Sequence, residues 1–225
     1  MAEIVFWRND GLNMKYFYVL EGISCAGKTS TINCLEKKGI YIIRENVTFC
    51  NDFPPLPTNY KESRRNETFI LELEKKRCNI ANGRDGLSVA DRMIISSMAI
   101  SYAWNYGSVH KFIQDIIMSI RNTDNLLLSD CNFYLDVKYE DVIERNKKRR
   151  SLLGKEWVGE NIIKRQKYFY DVYKDIVRSE NWYDINSSAL STEEISEIIT
   201  TIKIKRQHVT KEQRIEEFIR LYENI

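Results

Sequence analysis

The sequence YFYVLEGISCAGKTSTINCL, residues 16–35, predicts the fold of the surrounding chain. Its first five residues, Tyr16 to Leu20, are apolar or aromatic, which is typical of a buried parallel strand. Residues 22–29, GISCAGKT, match the pattern G-x-x-x-x-G-K-[ST] at each specified position. Ile32 and Leu35 are then spaced by three residues, as on one face of a helix. A strand, a glycine-bounded loop and a helix are therefore predicted in this order.

This loop has the properties of a phosphate-binding loop. Gly22 and Gly27 let the backbone turn its N–H groups inward around phosphate oxygens, and the following helix adds the partial positive charge of its N-terminus. Lys28 can reach the β- and γ-phosphates of a nucleotide, and the Thr29 hydroxyl can bind Mg²⁺. A surface turn that matches by chance is the alternative, and the flanking strand and helix argue against it. The predicted nucleotide-binding residues here are Gly22, Ile23, Ser24, Cys25, Ala26, Gly27, Lys28, Thr29 and Ser30.

The composition indicates a globular chain. Its 225 residues are 43% hydrophobic and include only three prolines, which suits one domain with a full core. The 34 basic and 32 acidic residues are too balanced to indicate nucleic acid or a membrane surface as the main partner. Five cysteines without paired spacing predict reduced thiols and no metal cluster. Residues 1–14 lack a signal-peptide core and no apolar run reaches 18 residues, so we expect a cytoplasmic protein without a membrane span.

Strands and helices alternate along the rest of the chain. Further strands are predicted at 40–43, at 87–90, over 126–128 and 133–137, and at 182–185; helices are predicted at 60–82, 94–106, 109–121, from 139, at 161–179, 192–204 and 205–225. This alternation predicts right-handed crossovers and a parallel sheet. We therefore predict one α/β domain over 1–225, with a three-layer αβα fold and a five-stranded parallel sheet. Residues 1–14 are an extension, and 205–225 form an extra C-terminal helix.

Charged pairs follow two of the predicted strands. Arg44-Glu45 comes after the strand at 40–43, and Asp91-Arg92 after the strand at 87–90. Because ligands of parallel sheets gather at the carboxyl ends of the strands, both pairs should lie beside the phosphate loop. A strand-end ion pair without a ligand is the alternative for Asp91-Arg92.

Together with a basic stretch at 145–150, these segments resemble the family that joins thymidylate kinases and deoxynucleoside kinases, and thymidylate kinase in particular. The quoted segments are LEGISCAGKTS (20–30), ADRMIISSMA (90–99), YLDV (134–137) and the basic stretch itself, RNKKRR. The resemblance covers about residues 15–204 in the same element order. It implies a P-loop kinase fold with a helical lid over 145–160, although a basic stretch is more often a solvated helix face.

For the phosphate donor, the resemblance implies ATP and Mg²⁺. Lys28 and Thr29 would hold the donor phosphates and the metal, and Asp91 would act near the metal, directly or through water. The arginines that match the lid of this family, and would close over ATP, are Arg145, Arg149 and Arg150. The segment at 186–189, with Ser187 and Ala189, falls where the family contacts adenine.

For the phosphate acceptor, the resemblance implies contacts from Arg92, which would bridge acceptor and transferring phosphoryl, and from Arg77. Phe69 is a candidate for stacking on the acceptor base, with a core position as the alternative. Arg44 and Ser97 complete the predicted substrate-binding set. The family's residues are replaced on this side by Asn46, Met93 and Ile100-Ser101, so the resemblance is weakest where the base is recognised.

Glu45 separates two enzyme hypotheses. A nucleoside acceptor must lose the proton of its 5′-hydroxyl, for which a strand-end carboxylate is a natural base, whereas a monophosphate acceptor needs arginines. Arg44, Arg77 and Arg92 favour the monophosphate, so we predict phosphorylation of a deoxynucleoside monophosphate, above all dTMP to dTDP. A deoxynucleoside kinase with Glu45 as base is the alternative.

A nucleotide-binding module without catalysis is a second alternative. The chain contains neither D-x-x-G nor N-K-x-D, so a GTP switch is not indicated. The apolar faces of the helices at 94–106 and 109–121 could pair two subunits, and we expect a homodimer that binds small-molecule nucleotides.

Overall fold

The computed structural model describes residues 15–122, 129–149, 151–177, 182–202 and 210–225. Within these ranges, five strands form one sheet: β1 Lys15–Glu21, β2 Tyr41–Ile43, β3 Gly86–Asp91, β4 Cys131–Asp136 and β5 Trp182–Asn186. All neighbouring strands are parallel, in the order β2-β3-β1-β4-β5. The predicted five-stranded parallel sheet is therefore confirmed, with β1 at its centre.

Side chains of β1 are buried on both faces of the sheet. Tyr18 and Leu20 join one hydrophobic cluster, while Phe17 and Val19 join a second. Burial on both faces explains why this strand has an uninterrupted apolar sequence rather than an alternating one. The central strand thus ends in the middle of the sheet edge, and the glycine-bounded loop begins there.

Helices flank the sheet on both sides. Those in the described residues are α1 Lys28–Lys37, α2 Asn46–Phe49, α3 Tyr60–Asn82, α4 Ile94–Trp104, α5 Val109–Asn122, α6 Tyr139–Lys147, α7 Lys155–Val158, α8 Glu160–Ile176, α9 Thr192–Thr201 and α10 Lys211–Asn224. Helix α1 contacts α9, whereas α4 contacts α3, α5 and α8. This is the predicted αβα architecture. None of these helices combines the length and apolarity needed to cross a membrane.

Most element boundaries follow the sequence pattern closely. Helix α3 covers the predicted range 60–82, where Asn59 accepts a hydrogen bond from the Glu62 backbone N–H at 3.0 Å and so caps the first turn. The four-residue helix α2 was not predicted, since its sequence NVTF has no helical periodicity. The predicted strand at 126–128 and the extension at 1–14 lie outside the described residues.

The C-terminal helix α10 packs against α5 and α8. It begins later than predicted, at Lys211, because the Thr210 hydroxyl accepts from the Gln213 backbone N–H and fixes the first turn there. Buried Arg214 pairs with Glu217 at 2.8 Å and donates to the Tyr173 hydroxyl at 2.7 Å. This helix therefore belongs to the folded core. Residues 203–209, the first part of the predicted segment, lie outside the described ranges.

Candidate active site

The phosphate loop lies between β1 and α1, at the carboxyl end of the central strand. Gly22 has φ +142° and Gly27 has φ +100°, and side chains rarely tolerate such angles. A Cβ atom on Gly22 would also lie 2.9 Å from the Leu135 carbonyl oxygen of β4. The first glycine is therefore required both for the turn and for its close approach to the neighbouring strand.

The Lys28 side chain folds over its own loop. Its ammonium group donates to the carbonyl oxygens of Gly22 at 2.8 Å and Ile23 at 2.6 Å. Burial, followed by the nearby Arg92 charge, lowers the pKa of Lys28 to about 7, although Asp91 and Glu45 oppose the shift. A phosphate anion beside the ammonium group would favour the charged form of this lysine.

Arg92 reaches the same loop from the end of β3. Its backbone adopts a left-handed conformation, φ +59°, which turns the guanidinium group towards β1. Nη1 of Arg92 donates to the Gly22 carbonyl oxygen at 3.1 Å, the same atom that Lys28 contacts. The structure therefore brings Lys28 and Arg92 together around one carbonyl group.

Glu45 faces the cavity beside Arg92. The Oε2 atom of Glu45 lies 3.5 Å from Nε of Arg92, and the carboxylate side chain is 32% exposed. Glu45 also precedes the first turn of α2, so its backbone position is fixed by that helix. A partly exposed carboxylate with an arginine partner can accept a proton from a bound hydroxyl group.

Asp91 is almost completely buried, beneath the cavity rather than in its wall. Burial, followed by repulsion from Glu45, raises its pKa. Among the described residues its Oδ1 atom has no hydrogen-bond partner, whereas the Thr29 hydroxyl group is exposed at the start of α1 and lines the cavity. The unpartnered carboxylate oxygen and the hydroxyl group are hard donors of the kind that Mg²⁺ prefers.

Lys28, Thr29, Glu45 and Arg92 line one cavity of about 880 Å³. The predicted residues that line it are Ser24, Cys25, Ala26, Gly27, Lys28, Thr29, Ser30, Glu45, Arg92, Ser97, Arg145, Arg149 and Ser187. Gly22 and Ile23 lie beneath the loop surface, where Ile23 is fully buried. The volume is within the range of small-molecule sites.

Two predicted substrate arginines are engaged elsewhere. Arg77 is completely buried: it pairs with Glu74 at 3.0 Å and donates to the carbonyl oxygens of Asp91 at 2.9 Å and Arg92 at 2.6 Å. It therefore supports the Asp91-Arg92 turn from behind. Arg44 points to α1, where it pairs with Glu36 and donates to Asn33 at 3.1 Å.

Phe69 is placed behind the first layer of the cavity wall. Its ring is half-buried and packs edge-on against Phe53, with the ring centres 6.2 Å apart. Phe53 itself lines the cavity. The aromatic ring at this part of the wall is thus Phe53, and Phe69 supports it.

From the segment predicted as a lid, Arg145, Arg149, Leu153 and Trp157 line the cavity. Arg145 donates to the carbonyl oxygens of Cys25 at 3.2 Å and Ser187 at 2.5 Å, and so links the phosphate loop to the segment after β5. Arg149 lines the cavity and donates to the Ser151 carbonyl oxygen at 3.3 Å. Arg150 lies outside the described residues.

The segment at 186–189 is only partly at the cavity. Ser187 is buried and its hydroxyl group donates to the Asp136 carbonyl oxygen at 2.9 Å, at the end of β4. Ala189 is exposed and its N–H donates to the Asn186 carbonyl oxygen, so of these two predicted residues only Ser187 lines the cavity.

The short helix α7 contacts the end of α4. The rings of Trp104 and Trp157 meet edge-on with centres 5.2 Å apart, and the Trp104 indole N–H donates to the Glu156 carbonyl oxygen at 3.0 Å. Both tryptophans line the cavity. These contacts were not predicted, since two distant tryptophans carry no sequence signal of their pairing.

Glu21 is a second unpredicted residue. It ends β1 and is completely buried, accepting from the Met93 backbone N–H at 3.3 Å, from the Ser96 hydroxyl group and from the Tyr170 hydroxyl at 3.2 Å. Burial raises the pKa of Glu21, against the effect of Ser96 and Arg92. This carboxylate ties the phosphate loop to the start of α4. Its place before Gly22 was visible in the sequence, but its burial was not.

The parallel sheet, the glycine-bounded loop after its central strand and the flanking helices define the P-loop αβα kinase fold. Deoxyadenosine kinase from M. mycoides, solved with its products dCMP and dCDP bound, is 22% identical, covers 82% of this chain and 96% of its own, and gives a TM-score of 0.61. Its structure with dATP is 20% identical, covers 82% and 97%, and gives 0.59. Thymidylate kinase from Candida albicans is 14% identical, covers 87% and 98%, and gives 0.59.

These likenesses concern the fold, because identities this low carry no residue roles. No protein-family model and no curated protein matches the sequence. The geometry of the cavity is therefore the main basis for a function.

Proposed function

We propose that the protein transfers the γ-phosphoryl group of ATP to the 5′-hydroxyl group of a deoxynucleoside. The observation that carries this proposal is the Glu45 carboxylate at the cavity, 3.5 Å from Arg92 and on the same side of the sheet as Lys28. A hydroxyl acceptor needs a base, and a positioned carboxylate supplies one. The similarity in fold to a deoxyadenosine kinase supports the same class of reaction.

The arginines argue in the same direction. Phosphorylation of a monophosphate was predicted because Arg44, Arg77 and Arg92 were expected beside the acceptor. Arg44 is paired with Glu36, and Arg77 is buried against Glu74. Only Arg92 of the three lines the cavity, and it is paired with a carboxylate. This arrangement favours a hydroxyl acceptor over an anionic phosphate.

In the proposed reaction, the 5′-oxygen forms a bond to the γ-phosphorus while the bond between that phosphorus and the ADP oxygen breaks. Glu45 takes the proton of the hydroxyl group. Lys28, Arg92 and Arg145 stabilise the negative charge that spreads over the phosphoryl oxygens. The lid excludes water, so that the phosphoryl group is not lost to hydrolysis.

Mg²⁺ would be held by the Thr29 hydroxyl group and, directly or through water, by Asp91. When bound, it would neutralise charge on the β- and γ-phosphates. The unpartnered Oδ1 atom of Asp91 and the exposed Thr29 hydroxyl group fit this role.

Phosphorylation of a deoxynucleoside monophosphate, with dTMP as the first candidate, is the second possibility. Arg92 lines the cavity and could hold an acceptor phosphate, and the thymidylate kinase from Candida albicans has a similar fold. In that case Glu45 would serve to orient Arg92, and not as a base.

A coupled assay of ADP release tests the proposal with the four deoxynucleosides and their four monophosphates. We expect turnover of nucleosides and a loss of about 10²- to 10⁴-fold in kcat for Glu45→Gln. Glu36→Gln is the matched control, since Glu36 pairs with Arg44 outside the cavity. Turnover of monophosphates alone would reverse the ranking, and ATP binding without transfer to any acceptor would favour a non-catalytic module.

A further inference from the structure

A buried carboxylate lines the cavity at a point that the proposed reaction does not use. Glu67 in α3 is 3% exposed. It accepts hydrogen bonds from the hydroxyl groups of Ser63, Ser101 and Ser108 and forms an ion pair with Arg64. Each of these neighbours donates to Glu67, so the carboxylate is fixed in position and oriented by four side chains.

This carboxylate lies away from the phosphate loop. On α4, Ser96 contacts Glu21 below the loop, whereas Ser101 contacts Glu67. The two serines both line the cavity and are five residues apart, which is about 8 Å along the helix at 1.5 Å per residue. Glu67 therefore lines a part of the cavity farther along α4 from the phosphate loop, where the base of a nucleoside bound at Glu45 can lie.

A second hydrogen-bond acceptor lies one residue before it. The amide nitrogen of Asn66 donates to the Pro55 carbonyl oxygen at 2.8 Å, which fixes the orientation of the amide group. Its Oδ1 atom is buried and has no partner within the described part of the chain. Asn66 lines the cavity as well. Carboxylate and amide oxygens accept hydrogen bonds and do not donate them, so this region offers a ligand acceptors and not donors.

We propose that Glu67 and Asn66 select a base that carries an exocyclic amino group, namely adenine, cytosine or guanine, over thymine. This inference depends on the proposed nucleotide chemistry of the same cavity. Thymine presents two carbonyl oxygens and one N–H group, so its oxygens would face the oxygens of Glu67 and Asn66. A buried acceptor left without a donor, here Oδ1 of Asn66, is costly, and sites built to accept a hydrogen bond from a ligand reject the analogue that lacks the donor.

The panel of nucleosides and monophosphates described above also tests this proposal through the ratio of kcat/KM values. We expect the best amino-bearing base to exceed thymine by about 100-fold or more. Glu67→Gln introduces an amide donor, and we expect this ratio to fall at least about tenfold. Glu72→Gln is the matched control on the same helix, because Glu72 is exposed and pairs with Lys75; it should leave the ratio unchanged.

The outcomes separate the two proposals. If thymine gives a kcat/KM that is higher than or equal to those of the other bases, the inference is overturned, while nucleoside phosphorylation is unaffected. If monophosphates are the sole acceptors and an amino-bearing base is preferred, nucleoside phosphorylation is overturned and the inference about the base stands. If Glu67→Gln does not fold, the kcat/KM ratio of the wild-type protein for amino-bearing bases over thymine still tests the inference. Without any turnover, binding of the same panel is followed by fluorescence of Trp104 and Trp157, which line the cavity, and equal affinities overturn the inference.

Discussion

The two ends of the cavity, which we propose bind the phosphate donor and the acceptor, are built differently. The donor end consists mainly of consecutive residues, 22–30, whose backbone turns at Gly22 and Gly27. The acceptor end consists of side chains from separate elements, among them Glu45, Glu67 and Ser101. Since the triphosphate chain is the same in every nucleotide, one continuous loop can bind it. The acceptor differs between enzymes, and its recognition is left to side chains that can be exchanged singly.

A buried ion pair fixes the position of residues at both ends of the cavity. Arg77 donates to the carbonyl oxygens of Asp91 and Arg92, and its partner Glu74 accepts from Asn46 at 2.7 Å, next to Glu45. Arg77 therefore fixes both Arg92 and the segment that carries Glu45. This role differs from the predicted contact with the acceptor.

Arg77→Met should produce the largest effect, because it removes the support shared by both ends. The variant leaves Glu74 buried without its cation, and the free energy of unfolding should fall by about 3–5 kcal/mol. Urea denaturation measures the change. The double variant Arg77→Met/Glu74→Leu should recover much of the loss, since no buried charge then remains unpaired. Equal losses in the single and double variants would contradict the buried-pair argument.

Lys28→Ala should impair catalysis at the proposed donor end and leave the acceptor end unchanged. Removal of a positioned cation costs on the order of 3 kcal/mol of transition-state stabilisation, or about 10²- to 10³-fold in kcat. Lys37→Ala is the control, because Lys37 is exposed in the last turn of the same helix. Steady-state kinetics with saturating acceptor measures both. A Lys28→Ala enzyme with nearly normal turnover would exclude this lysine from the reaction.

The pH dependence of the free energy of unfolding tests the lowered pKa of the buried Lys28. The pKa of Lys28 is lowered from 10.5 to about 7 by burial. Between these values the unfolded chain binds a proton that the folded protein has released, so stability rises with pH, by at most about 1.4 kcal/mol per unit. Below about pH 7 the cost of the buried charge is fully present.

Urea titrations at pH 7, 8 and 9 measure this slope. Lys28→Met should lack the contribution, and titrating groups remote from the phosphate loop cancel in the comparison. If the free energy of unfolding changes with pH equally in the two proteins, the pKa of Lys28 is not lowered in the folded state.

Trp157→Leu should give the smallest effect and tests whether the lid serves both ends. Arg145 contacts the phosphate loop, whereas Trp157 packs on Trp104 at the acceptor side. Loss of an aromatic pair weakens lid closure by about 0.5–1.5 kcal/mol. We expect the KM of the acceptor to rise about two- to tenfold and that of ATP to change less. Leu152→Ala, at an exposed lid residue, is the control; an equal rise in both KM values would contradict separate roles.

Local pattern was sufficient for the donor end. The apolar run at 16–20, the spacing of Gly22 and Gly27 and the position of Lys28 specify a strand, a turn and a cation within one short segment. No distant residue is needed to predict them. Residues 24–30 all line the cavity, while their contact with ATP stays a prediction.

The acceptor end was much harder to predict, because a sequence does not show which partner a charged side chain finds. Arg44 and Arg77 are ordinary arginines after a strand and within a helix, and only packing directs them to Glu36 and Glu74. Phe69 was a candidate for stacking on the base, with a core position as the alternative, whereas Phe53 from the preceding loop lines the cavity and packs edge-on against it. Alternatives at such positions remain open until tertiary contacts are known.

The sequence by itself determined the parallel sheet, the phosphate loop and the long helix at 60–82, since each depends on spacing between near neighbours in the chain. Only the tertiary structure decided that Glu45 faces the cavity, that Arg77 is buried and that three serines surround Glu67. Those positions depend on which helices pack together, and side chains such as Glu67 and Ser101, 34 residues apart, meet only when α3 lies against α4.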